Sequence, residues 1–127
     1  MDIKNNKVIA IVDDDDLMRN ALQGLLKSVG LPARAFASAE EFLNSGQPDQ
    51  IACLIADIRM PGMSGLELQA KLNAARYRIP IIFITAHGDA KMRMQALRAG
   101  AVEFLAKPFD DEVLLGNVRA ALENGAR

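Results

Sequence analysis

The chain has 127 residues, with 15 Lys and Arg residues against 16 Asp and Glu residues, for a formal net charge of -1 at pH 7. This length is typical of a single domain, and a 50% hydrophobic composition can build a core without disulfides or a structural metal. The near-neutral charge lacks the basic excess that nucleic-acid binding requires, and no apolar run is long enough to span a membrane or to act as a signal peptide. We therefore expect one cytoplasmic domain, residues 1–127, that does not bind DNA by itself.

Five apolar runs predict the strands of a parallel sheet. They cover residues 8–12, 33–37, 52–56, 81–84 and 101–106, and the second is the weakest. Apolar runs without alternation are typical of strands that are buried on both faces. Cys53 lies within the third run and has no C-x-x-C neighbour, so we expect a buried thiol.

Each predicted strand is followed by a segment of helical periodicity. Ser38 and Glu41 predict a capping box for a short second helix that ends at Gly46. The third and fourth helices are expected at about 64–75 and 89–99, and the fifth follows the KPFDDE segment. This alternation predicts an α/β fold, a doubly wound (βα)5 three-layer sandwich. The first helix places five apolar residues on one face: Met18, Leu22, Leu25, Leu26 and Val29.

Polar residues follow four of the predicted strands. Asp13 and Asp14 come after the first strand, Asp57 after the third, Thr85 after the fourth and Lys107 after the fifth. Open parallel sheets bind ligands outside the carboxyl ends of their strands. Taken alone, Lys107 is typical of a surface lysine and Thr85 of a strand residue bonded to backbone. Their coincidence at one sheet edge predicts the functional site.

The acidic run at 13–16 divides into two pairs. Asp15 and Asp16 precede the first helix, where capping and the helix dipole favour carboxylates. Asp13 and Asp14 are delivered to the sheet edge, where neighbouring charges require a cation. The glycine and glutamate of an EF-hand loop are missing, and a set of oxygen ligands favours Mg²⁺, with Mn²⁺ as a substitute.

Four segments of the chain resemble the signature segments of bacterial two-component receiver domains. They are IVDDDDLMR, LIADIRMPGMSGLEL, IIFITAHGD and GAVEFLAKPFD, and the match that they define extends over almost the whole chain. The RMPGMSGLEL and TAHGD sequences most resemble the FixJ-type subgroup. The resemblance implies a flavodoxin-like fold with sheet order 2-1-3-4-5 and a regulatory domain, not an enzyme, that phosphorylates and dephosphorylates itself.

The resemblance also assigns roles at the sheet edge. Asp57 would accept a phosphoryl group from a sensor histidine kinase, and Asp13 and Asp14 would hold Mg²⁺ together with Asp57. The backbone carbonyl of Arg59 would complete the protein ligands of the metal. Thr85 and Lys107 would bind the phosphoryl oxygens, and the bond between Lys107 and Pro108 would be cis.

Three further residues are expected to modulate the signal. An aromatic residue on the fifth strand follows Thr85 inward in the family, and Phe104 occupies that position; without a hydroxyl it is expected to be buried before phosphorylation, or to be an ordinary core residue. Arg59 is expected to block water and slow hydrolysis of the acyl phosphate. His87 would orient or shield that water, or be a solvated loop residue.

Two other functions share this strand pattern. A haloacid dehalogenase-type phosphohydrolase requires D-x-D-x-[TV], but Leu17 stands at the last position and no cap domain fits the length. A flavin carrier requires a phosphate loop rich in Ser, Thr or Gly, and four aspartates would repel FMN.

The FixJ-type resemblance implies transcription control. We expect a helix-turn-helix effector domain beyond residue 127 that binds DNA, and phosphorylation-dependent homodimerisation through the fourth helix, fifth strand and fifth helix. The alternative is a single-domain regulator that acts by protein docking.

Overall fold

The computed structural model describes residues 8–46, 48–86 and 89–125. Its strands form one parallel sheet in the order β2-β1-β3-β4-β5, which confirms the predicted fold class and strand order. The strands are β1 (Val8–Val12), β2 (Ala33–Phe36), β3 (Ile51–Asp57), β4 (Ile81–Thr85) and β5 (Glu103–Ala106).

The fifth strand begins two residues later than predicted. The Ala101 N–H donates to the Ala96 carbonyl, which closes the end of the preceding helix. The apolar run therefore starts inside a helix terminus, and the strand itself begins only at Glu103.

Among the described residues, five helices alternate with the strands, and a turn of 3₁₀ helix covers Pro48–Gln50. Ser64 and Glu67 form a reciprocal capping box at the third helix. The capping box predicted at Ser38 is wrong in one half, because Glu41 accepts a hydrogen bond from the Ala37 N–H. Ala37 lies just past the end of β2 and offers its N–H to that carboxylate. The helices are α1 (Asp16–Ser28), α2 (Ala39–Asn44), α3 (Gly65–Ala74), α4 (Ala90–Arg98) and α5 (Asp111–Gly125).

Apolar side chains cover both faces of the sheet, because alternate residues of a strand point to opposite faces. On one face, Leu22 and Leu26 of α1 and Leu114 and Val118 of α5 pack against Ile55 and its neighbours. On the other, residues of α2, α3 and α4 pack against the sheet. The core on this second face includes Phe42, Leu54, Leu68, Phe83, Ala96 and Phe104. Full burial of each large aliphatic side chain contributes about 1.5–3 kcal/mol to stability.

Strand register brings the polar strand ends to one edge. Val12 pairs with Ala56, so Asp13 and Asp57 occupy corresponding positions at the ends of neighbouring strands. Thr85 pairs with Ala106, which places Lys107 directly after that pair. In the part of the chain that is described, no helix is long and apolar enough to cross a membrane.

Candidate functional site

The Lys107 ammonium lies between two carboxylates at the carboxyl edge of the sheet. Its Nζ donates to Asp57 Oδ2 at 2.9 Å and to Asp13 Oδ2 at 3.1 Å. Asp13 and Asp57 are both buried. Charge-assisted hydrogen bonds of this kind are about twice as strong as neutral ones, and they fix the three side chains relative to one another.

Burial and pairing act in opposite directions on these groups. Burial raises the pKa of Asp13 above its ordinary value, against the opposing hydrogen bonds from the Asp15 N–H and from Lys107. Burial by itself lowers the pKa of Lys107, but the hydrogen bonds and charges of Asp57 and Asp13 outweigh it, and the pKa is raised. Lys107 is therefore a cation at neutral pH.

Three carboxylates form a cluster suited to a metal ion. Asp13, Asp14 and Asp57 each offer one oxygen, and these oxygens lie within 4.8 Å of one another. One ammonium among three ionised carboxylates leaves two excess negative charges, which equal the charge of one divalent cation. Oxygen donors are the ligands that Mg²⁺ prefers, and the exposure of Asp14 leaves room for the water ligands that Mg²⁺ retains. The residues present therefore fit Mg²⁺.

The remaining acids of the run belong to the start of α1, as the sequence predicts. Asp15 is the N-cap and accepts a hydrogen bond from the Leu17 N–H at 3.0 Å. Asp16 lies in the first turn and pairs with Arg19. Arg19 belongs to none of the sequence-predicted site residues, yet its Nη1 donates to the backbone carbonyl of Asp13 at 2.7 Å.

The loop after β3 is shaped by a close backbone contact. The Gly65 N–H donates to the Ile58 carbonyl at 2.8 Å, and a Cβ at residue 65 would lie 2.2 Å from the Asp57 carbonyl oxygen. Only glycine allows this approach. The same loop carries Arg59, whose side chain is exposed and whose N–H donates to Asp57 Oδ1 at 3.3 Å. Gly65 lies in the RMPGMSGLEL segment that carries the resemblance, but the sequence assigns it no role, because its position after a helix cap shows no need for glycine.

Thr85 and Phe104 are both buried, Thr85 at the end of β4 and Phe104 within β5. The Thr85 carbonyl accepts a hydrogen bond from the Lys107 N–H at 2.9 Å, which links the ends of β4 and β5. The Phe104 side chain is buried, with its ring centroid 6.4 Å from that of Phe83. The peptide bond between Lys107 and Pro108 is cis.

The structure thus brings together Asp13, Asp14, Asp57 and Lys107, with Thr85 at the end of the strand beside Asp57. His87 lies outside the described residues.

A doubly wound sheet that gathers an acidic cluster and a lysine at its carboxyl edge defines a flavodoxin-like domain with an acidic site that fits a metal ion. Residues 9–119 match the family described as the response regulator receiver domain. The chain belongs to this family, whose members are regulatory domains.

The relatives include proteins of the FixJ-type subgroup. Nodulation protein W of Bradyrhizobium diazoefficiens is 50% identical over 116 residues, which cover 91% of this chain and 51% of that protein. Transcriptional regulatory protein FixJ of Azorhizobium caulinodans is 43% identical over 118 residues, which cover 93% of this chain and 56% of that protein. The chain therefore spans about half the length of these curated relatives.

The solved structures agree with the sequence matches. The crystal structure of FixJ-N superposes with a TM-score of 0.82 and 40% identity, covering 92% of this chain and 94% of that one. These matches favour a receiver domain over the two alternatives, a phosphohydrolase and a flavin carrier.

Proposed function

We propose that Asp57 accepts a phosphoryl group from the histidine of a sensor kinase and that the resulting change controls transcription through an attached DNA-binding domain. One observation carries the assignment: the Asp57 carboxylate, at the end of β3, is held by Lys107 within the only group of three acidic side chains able to share a metal among the described residues. Membership of the receiver family supports the same acceptor chemistry.

The chain's own residues prepare the attack. A carboxylate oxygen of Asp57 forms a bond to phosphorus while the phosphorus–nitrogen bond breaks and its electron pair stays on the imidazole. The nucleophile and the phosphoryl group are both anionic, so their approach needs positive charge. Lys107 supplies one such charge from a position already in contact with Asp57.

The acidic cluster would supply the remaining positive charge by holding a metal ion. Asp13, Asp14, Asp57 and the backbone carbonyl of Arg59 would hold Mg²⁺, or Mn²⁺ in its place. Bound there, the ion neutralises charge on the transferring group. The residues that precede Asp57 in β3 are buried and apolar, so a rigid strand fixes the position of the nucleophile.

The product is a mixed anhydride that water cleaves, which suits a transient signal. The phosphoryl group adds about 1.5–2 negative charges and three acceptor oxygens. Lys107 and the Thr85 hydroxyl would bind those oxygens, and the inward ring of Phe104 would leave space for Thr85 to approach. The exposed Arg59 side chain, anchored next to Asp57, would slow hydrolysis by shielding the anhydride.

The relatives support a role in transcription. FixJ is named a transcriptional regulatory protein, and the 118 matched residues cover 56% of its length. The effector, the kinase partner and action in the cytoplasm are proposed for the native protein on this basis. Homodimerisation would use α4, β5 and α5, where Met94, Leu97 and Val102 are exposed apolar residues.

Acyl-phosphate labelling tests this function against the hydrolase alternative. Incubation with acetyl phosphate and Mg²⁺ should add one phosphoryl group per chain, measured by intact-mass spectrometry. Incubation with p-nitrophenyl phosphate should release no more than a stoichiometric amount of nitrophenol. Multiple turnover of p-nitrophenyl phosphate would contradict the proposal.

A further inference from the structure

We propose that Arg19 is a positioning residue for the metal site, because its guanidinium fixes the peptide unit that joins Asp13 to Asp14. This inference rests on the metal site of the proposed function. Arg19 lies in the first turns of α1, where its N–H donates to the Asp15 carbonyl at 3.0 Å.

The guanidinium bridges the two halves of the acidic run. Nη1 donates to the Asp13 carbonyl oxygen at 2.7 Å, and Nη2 pairs with the Asp16 carboxylate. The Arg19 side chain is only 19% exposed, whereas that of Asp16 is 81% exposed. Arg19 is therefore held against the loop and does not extend into solvent.

Every polar atom of Asp13 has a partner in this arrangement. Its N–H donates to the Phe36 carbonyl at 3.1 Å, Oδ1 accepts from the Asp15 N–H at 2.9 Å, and Oδ2 accepts from Lys107 at 3.1 Å. The Arg19 bond to the carbonyl completes the set. Asp13 is thus fixed on all sides before any metal binds.

The carbonyl bond matters most for Asp14. A peptide unit is planar, so fixing the Asp13 carbonyl also fixes the nitrogen and Cα of Asp14. Asp14 is exposed, and its carboxylate must nevertheless stay within reach of Asp13 and Asp57. Arg19 achieves this through the backbone, while its own charge stays directed at Asp16.

An electrostatic role and a positioning role of Arg19 predict opposite changes in Mg²⁺ affinity when the residue is removed. Removing a cation close to three carboxylates makes the local potential more negative, which would tighten Mg²⁺ binding. Removing the backbone anchor lets Asp14 leave its place, which would weaken binding. The sign of the change in affinity therefore separates a positioning role from a purely electrostatic one.

Isothermal titration with Mg²⁺ measures this sign. Arg19→Ala should weaken Mg²⁺ binding by about tenfold, the lower end of what loss of a residue supporting metal ligands costs. Arg19→Lys keeps the charge and one donor, and should restore most of the affinity. Arg98→Ala removes the same charge from an exposed position at the end of α4 and should leave the affinity unchanged.

Controls separate the possible failures. Arg19→Met has a helix propensity similar to that of Arg but no hydrogen-bond donor, and it carries the same expectation if Arg19→Ala does not fold, as judged by circular dichroism without Mg²⁺. Binding by Arg19→Ala as tight as, or tighter than, that of the wild type would overturn the inference, provided that Asp14→Asn loses binding. Absence of Mg²⁺ binding by the wild type would instead overturn the metal site of the proposed function.

Discussion

The Gln69 carboxamide on α3 donates a 3.0 Å hydrogen bond to the backbone carbonyl of Ala96 on α4, and both residues are buried. One helical turn further on, Asn73 donates to the Ala99 carbonyl at 3.0 Å. The last carbonyls of a helix lack partners within it, so α3 side chains cap the end of α4. This cap fixes the carboxyl end of α4, while Asp89 is the N-cap at its amino end.

The buried member of this pair should matter more for stability. Gln69→Ala should lower the free energy of unfolding by about 1–3 kcal/mol, because it removes a buried hydrogen bond and leaves the Ala96 carbonyl with one of its two acceptor positions unfilled, the other accepting from the Ala101 N–H. Asn73→Ala removes the equivalent bond at an exposed position and should cost less than about 1 kcal/mol. Urea unfolding followed by circular dichroism compares the two. Equal costs would show that the Gln69 bond contributes nothing beyond an exposed one.

The contact between Gly65 and the Asp57 carbonyl predicts a substitution that damages both fold and site. Gly65→Ala should destabilise the domain by about 1–3 kcal/mol and slow labelling by acetyl phosphate, because its methyl group must displace the backbone of the acceptor. Gly116→Ala in α5 is the matched control, since nothing lies within 4 Å of its Cβ. It should stabilise the helix by about 0.5–1 kcal/mol. Unimpaired labelling of Gly65→Ala would show that this contact does not hold Asp57.

Metal binding should depend on pH through Asp13. The raised pKa of Asp13 means that protons compete with Mg²⁺ at higher pH than for an ordinary aspartate. Without metal, the raised pKa means that the folded protein favours protonated Asp13. The resulting contribution to stability is complete below the pKa that Asp13 has in the unfolded chain, and it is lost as the pH rises through the pKa that Asp13 has in the folded protein. Saturating Mg²⁺ should therefore raise the melting temperature strongly at pH 7 and little near pH 4.

Two aspartates of the same run provide the comparison for that titration. Asp14→Asn should remove most of the Mg²⁺ effect, whereas Asp16→Asn should preserve it, because Asp16 belongs to the first turn of α1. A larger loss in Asp16→Asn would contradict the division of the acidic run.

Cys53 should be unreactive in the folded domain. Burial raises the pKa of its thiol to about 12, so the nucleophilic thiolate is scarce at pH 8. Its contribution to stability is complete below the unfolded pKa of about 8.5 and declines as pH rises toward the folded value. Ellman's reagent should label Cys53 at pH 8 only after urea is added. Stoichiometric labelling without urea would contradict the burial.

The sheet and its polar edge could be predicted from the sequence for a physical reason. Strands buried on both faces leave continuous apolar runs, and parallel topology brings every carboxyl end to one edge. Asp13, Asp57 and Lys107 follow such runs directly, so their proximity could be predicted without knowing how the side chains pack. The fifth run was misleading at its start because Ala101 is as apolar as a strand residue but completes the end of α4.

The supporting contacts could not be predicted in the same way. Arg19 and Gln69 act through long side chains that reach the backbone of another segment, and such reach leaves no periodic signal. Glycine is required at position 65 because the backbone there lies very close to the backbone of Asp57, which belongs to a different element. Only the folded structure shows the partners of these residues.

We propose that Asp57 alone accepts the phosphoryl group. Intact-mass spectrometry after treatment with acetyl phosphate and Mg²⁺ tests it most directly, on the wild type, Asp57→Ala and Asp49→Ala, whose aspartate is exposed in the 3₁₀ turn before β3. We predict one added phosphoryl group in the wild type and in Asp49→Ala and none in Asp57→Ala. Labelling of Asp57→Ala to the extent seen in the wild type would contradict the account.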